Sequence, residues 1–99
     1  MGSLEPLSDH VRITARAECD LAKLLKKDPQ RFARVWEDLR RLASGVLPQR
    51  PKKLKGFTPP MWQLDSGEFR IFHTWEGPLL WVRGVLRKPE QSDRLRALR

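Results

Sequence analysis

A chain of 99 residues makes one domain with one core, and its 20 Lys+Arg against 12 Asp+Glu leave a formal charge of +8 and a pI near 10.6. That excess favours nucleic acid, the ribosome or an acidic protein as partner. Cys19 is the only cysteine, which excludes an intrachain disulfide and a cysteine-rich metal site; no apolar run approaches the roughly 20 residues of a membrane span, so a cytoplasmic protein without a membrane partner is expected.

Residues 1–9 hold Gly2, Ser3, Pro6 and Ser8 with little to bury and read as a flexible tail, leaving 10–99 as the single domain. Val11-Arg12-Ile13-Thr14 alternates, which predicts a short strand suited to a sheet edge. From Ala15 to Lys27, Ala17, Leu21, Leu24 and Leu25 recur at helical spacing, and Cys19 lies off that stripe as a tolerated small residue rather than a nucleophile. Asp28-Pro29 is a cap acceptor followed by a proline suited to the first helical position. The next helix should run to Ser44, with Phe32, Val35, Trp36, Leu39, Leu42 and Ala43 on its apolar face and Gly45 closing it.

Pro48 to Pro60 reads as a proline-punctuated connector around Leu54. Its cations, Lys52, Lys53 and Lys55 among them, form either a solvated loop or a phosphate-contacting arm. Met61 to Val85 then reads as three short strands, MWQLD, EFRIFHTW and LLWVRGV, joined by turns at Ser66-Gly67 and Glu76-Gly77-Pro78. Strict alternation puts Trp62 and Leu64 on one side; Phe69, Ile71 and His73 oppose Arg70, Phe72 and Thr74. In the last strand Leu80, Val82, Gly84 and Leu86 oppose Trp81, Arg83, Val85 and Arg87. One face is therefore apolar and wants the two helices as its cover; the other carries Arg70, Arg83 and Arg87 together, a composition suited to a polyanion. Beyond it, Pro89-Glu90 and Leu95, Ala97 and Leu98 among arginines suggest a short basic C-terminal helix. The expected class is α+β: an antiparallel sheet packed against two N-terminal helices.

No P-loop, dinucleotide-binding glycine pattern or metal-ligand cluster is present, so neither cofactor nor metal is expected. His73 shares the helix-facing parity of Phe69 and Ile71 and reads as a satisfied, partly buried histidine. Asp65 can pair with Arg70 across the tight turn, or act as a general base. The three arginines can hold a phosphodiester and stabilise charge developing as it is cleaved.

The order of elements, with LLKKDP and the following Phe32, RPKKLKG, MWQLDSGEFRIF as a Trp-then-Gly-x-[FY]-R-[ILV] block, and VLRKPEQ, resembles the RelE/ParE superfamily of toxins from bacterial type II toxin-antitoxin systems. The likeness runs from about Val11 to Leu98. It implies a two-layer fold of a sheet backed by two helices, and a cognate antitoxin as partner. Many RelE-like members cleave mRNA on the ribosome without a metal, using the ribose 2′-hydroxyl as nucleophile and inhibiting translation; ParE-like members poison DNA gyrase on the same fold. Carried over, Arg70 takes the arginine of the Gly-x-[FY]-R block, and Arg87 or Lys88 the basic position leaving the last strand. The lysines of RelE itself on the preceding strand fall on Gln63 and Asp65, and the chain holds no tyrosine, so Lys52, Lys53, Lys55, Asp65 or His73 must substitute in acid–base work. The resulting expectation is Arg70, Arg87 and Asp65 as catalytic residues and Lys52, Lys53, Lys55, Arg83 and Lys88 as nucleic-acid contacts. The alternatives are gyrase binding or an inactive member.

Overall fold

The computed structural model describes residues 7–46 and 50–88; the expected C-terminal helix and most of the expected tail lie outside them. In chain order the elements are β1 (Val11–Ile13), α1 (Ala15–Lys27), α2 (Pro29–Ser44), β2 (Lys52–Leu54), β3 (Met61–Ser66), β4 (Phe69–Glu76) and β5 (Leu79–Arg87). They form an α+β domain whose five-stranded sheet has the order β1-β5-β4-β3-β2. The sheet is mixed rather than antiparallel, because β1 pairs with β5 in parallel while the other three pairings are antiparallel. A strand also replaces part of the expected connector: Lys52–Leu54 pairs with Met61–Gln63 as the far edge.

The helices begin and end where local chemistry requires. Thr14 Oγ1 accepts the Ala17 N–H at 3.2 Å, capping α1. Asp28 Oδ1 accepts the Arg31 N–H at 3.2 Å, Pro29 fills the first position of α2, and Gly45 closes it at φ 80°, a left-handed conformation that glycine adopts without a Cβ penalty. Ala17, Leu21 and Leu24 of α1 and Phe32, Val35, Leu39, Leu42 and Ala43 of α2 are buried against Leu64, Ile71, Leu80, Val82 and Val85 of the sheet. Trp36, expected in that core, is only partly buried and stacks on Phe32 with ring centroids 5.6 Å apart. His10 ties β1 to the end of α2, its Nε2–H donating to the Ala43 carbonyl at 2.9 Å.

One irregularity decides which side chains share a face. Phe72 pairs with Gly84 and His73 with Val82, so Arg83 is an extra residue in β5. Before this bulge Leu80 and Val82 face the helices; after it Val85 does, and Leu86 turns to the opposite side. Strict alternation had placed Val85 and Leu86 the other way round. The bulge is held from β1 and α1. The Thr14 N–H donates to the Val82 carbonyl at 3.1 Å, Thr14 Oγ1–H to the Arg83 carbonyl at 3.2 Å, and Asp20 Oδ2 accepts the Val85 N–H at 3.0 Å where β1 no longer pairs.

The face away from the helices has its own apolar centre. Met61, Phe72 and Leu86 are buried there, with Leu54 and Phe57 packed against them.

Candidate nucleic-acid interface

Asp65 and Arg70 stand directly opposite each other, because the β3–β4 hairpin turns in two residues, Gly67 and Glu68, and fixes the register locally. Arg70 Nε donates to Asp65 Oδ1 at 3.1 Å, and Lys88 Nζ lies 3.7 Å from Asp65 Oδ2. The expected ion pair is thus present with a second cation beside it. The three side chains are 28%, 38% and 39% exposed for Arg70, Asp65 and Lys88, so solvent screens the pairing and a ligand can reach all three. One carboxylate set between a guanidinium and an ammonium gives this end of the face a net positive charge, suited to the non-bridging oxygens of a phosphodiester.

Farther along the same face is Arg83, whose Nε donates to Thr74 Oγ1 at 3.1 Å. Its Nη2 lies 3.6 Å from Glu76 Oε1, and its guanidinium sits over the Trp81 ring 5.2 Å from the centroid. Thr74 is four residues from Arg70 along β4, so the two ends of the face are separated by about 13 Å of strand. Between them lie Phe72 and Gln63; Gln63 is 8% exposed and its Oε1 has no partner among the described residues.

Arg87 does not belong to this face. Lying after the bulge, it pairs in register with Phe69 on the helix side. There its Nη2 approaches Glu68 at 3.8 Å, and Arg31 of α2 bonds the same carboxylate. Arg87 lines a separate cleft of about 900 Å³ with Lys23, Lys27 and Arg31. The three arginines expected on one surface are therefore split, with Arg70 and Arg83 on one side and Arg87 on the other. Sequence did hold a signal for this: an isolated glycine inside a strand pattern, Gly84, commonly marks a bulge.

The basic residues of β2 divide too. Lys52 pairs with Gln63 and so stands on the Asp65–Arg70 side, whereas Lys53 pairs with Trp62 and points to the helix side; both are exposed, as is Lys55 in the turn that follows. His73 lies on the helix side as expected, but fully buried. Its Nδ1–H donates to the Ile71 carbonyl at 3.2 Å, Nε2 has no partner among the described residues, and burial pushes its pKa down to about 4. It cannot reach a substrate on the open face.

No group of three or more His, Cys, Asp or Glu side chains among the described residues is placed to hold a metal, and no helix there is long and apolar enough to cross a membrane. The chain matches no protein-family model and no curated protein.

Proposed function

We propose that the protein is a toxin of the RelE/ParE kind that cleaves ribosome-bound mRNA without a metal. The observation that carries this reading is the Asp65–Arg70–Lys88 cluster on the face opposite the helices. In the proposed reaction, Arg70 and Lys88 bind the scissile phosphate, and their transfer to its oxygens releases the carboxylate of Asp65. Asp65 then accepts the proton of the adjacent ribose 2′-hydroxyl as the 2′-oxygen forms its bond to phosphorus. Lys88 donates a proton to the departing 5′-oxygen as the bond from phosphorus to it breaks, leaving a 2′,3′-cyclic phosphate and a 5′-hydroxyl. Lys88 takes the basic position that the resemblance shares between it and Arg87, because Arg87 is turned to the helix side. A cognate antitoxin with an acidic or amphipathic segment completes the system, in keeping with the +8 charge.

Primer extension on mRNA in a purified translation system is the test, with cleavage inside the open reading frame the expected result. A second reading rests on what this face lacks. The chain has no tyrosine and His73 is 0% exposed, so neither residue type offers acid–base chemistry there. In that reading the surface binds DNA gyrase, and intact mRNA together with gyrase-dependent DNA breaks would establish it.

A further inference from the structure

The bulge at Arg83 does more than reverse the parity of β5. It places Arg83 in the lining of a half-open cleft of about 430 Å³, whose walls include Phe57, Pro59 and Met61 and whose polar groups include Thr58 and Thr74. This volume lies within the usual range of small-ligand sites, roughly 300–1,000 Å³, and its lining mixes apolar side chains with the polar groups of Thr58, Thr74 and Arg83 in about equal measure. The guanidinium is oriented before any ligand arrives, by the Thr74 hydroxyl, the Glu76 carboxylate and the Trp81 ring. An arginine fixed in this way presents paired N–H donors at set spacing.

We propose that this cleft is a nucleobase subsite that takes guanine from single-stranded RNA, with Arg83 donating to its O6 and N7 edge and Thr74 acting as a positioning residue for Arg83. The inference rests on the RNA reading above and adds to it a base-reading site distinct from the phosphate cluster. Single-stranded RNA is recognised by splaying a base out of the stack, seating it against apolar or aromatic surface and hydrogen-bonding its edge. Guanine offers O6 and N7 as adjacent acceptors to a guanidinium fork on its Hoogsteen edge, and cytosine offers O2 and N3 on its Watson–Crick edge, so the experiment below includes both. Position agrees with this use. The cleft opens on the same face as Arg70 and Lys88, about 13 Å along the sheet, so one strand can leave a phosphate at the cluster and a base in the cleft. Met61 and Thr74 contribute to both regions of the face, one through the buried apolar centre and the other through β4.

The experiment uses the whole chain and short 5′-labelled oligouridine RNAs carrying one central guanine, adenine, cytosine, uracil or 7-deazaguanine, with affinity read by fluorescence anisotropy at one salt concentration. The guanine RNA should bind roughly 5- to 100-fold more tightly than the others, the span of one bidentate base contact. Replacing guanine by 7-deazaguanine, which removes N7, should erase most of that preference in the unaltered protein. Arg83→Gln should erase it too, while Lys52→Gln should lower affinity for every RNA by the same factor and keep the preference. Equal affinity for all bases, a preference that survives 7-deazaguanine, or no RNA binding at all would overturn the subsite. Guanine preference in a protein that cleaves no mRNA would retract the catalytic reading and uphold the cleft; cleavage with no base preference would do the reverse.

Discussion

His73 shows how one side chain ties the sheet's interior to solution conditions. Its folded pKa is held at about 4 by burial, below the ordinary 6.5, so the folded protein keeps the ring neutral. As pH falls, the unfolded chain takes up this proton first. The stabilisation from the neutral ring is therefore fully present above pH 6.5 and is lost as pH drops toward 4, by up to roughly 3 kcal/mol over that window. Urea unfolding at several pH values should show this slope in the wild type, over and above the titration of carboxylates that His73→Phe retains. Equal slopes in the two proteins would mean that His73 is not buried in its neutral form. At this scale the sequence was legible wherever the partner is close along the chain. Asp65 and Arg70 could be paired from the residues alone because a two-residue turn joins their strands. The face of Arg83 was legible too, but the cleft it lines was not, because Phe57 and Pro59 belong to a loop that only the fold brings there.

The elements divide in the same way. Both helices run over the expected spans because caps and apolar stripes are local features. The strand Lys52–Leu54 could not be read, since two exposed lysines followed by a half-buried leucine show no apolar alternation; it is a strand because β3 offers it a partner, and its lysines suit an edge that must not recruit another chain. The reversal in β5 has a distant cause as well: its hydrogen bonds come from Thr14 and Asp20, 65 or more residues earlier. That dependence can be measured. Asp20→Ala should leave the Val85 N–H, in a residue only 5% exposed, without its acceptor and cost about 1–3 kcal/mol, whereas Asp20→Asn, which keeps an acceptor oxygen, should cost less. Leu39→Ala sets the scale for the main core. Leu39 is 0% exposed at the centre of α2, and its truncation should cost roughly 2–5 kcal/mol in denaturant unfolding.

For the molecule as a whole, the +8 charge correctly describes the balance but not its arrangement. Basic groups line the cleft beside α1 and α2 as well as the face around Arg70, so the two surfaces must be separated by substitution. Lys52 stands on the Arg70 side of the sheet and its neighbour Lys53 on the other. If RNA lies on the Arg70 face, Lys52→Gln should weaken binding and make its salt dependence shallower, while Lys53→Gln should change both far less. A salt titration of RNA binding with the two variants gives this comparison, and equal losses would place the RNA across the β2 edge instead. The central claim is the phosphate-binding role of Arg70, and single-turnover cleavage of mRNA on programmed ribosomes tests it most directly. Arg70→Ala should slow the bound-state rate about 10²–10³-fold, the value commonly found for one donor to developing charge, with a much smaller loss of binding and partial recovery in Arg70→Lys. Cleavage by Arg70→Ala at the wild-type rate would contradict the account.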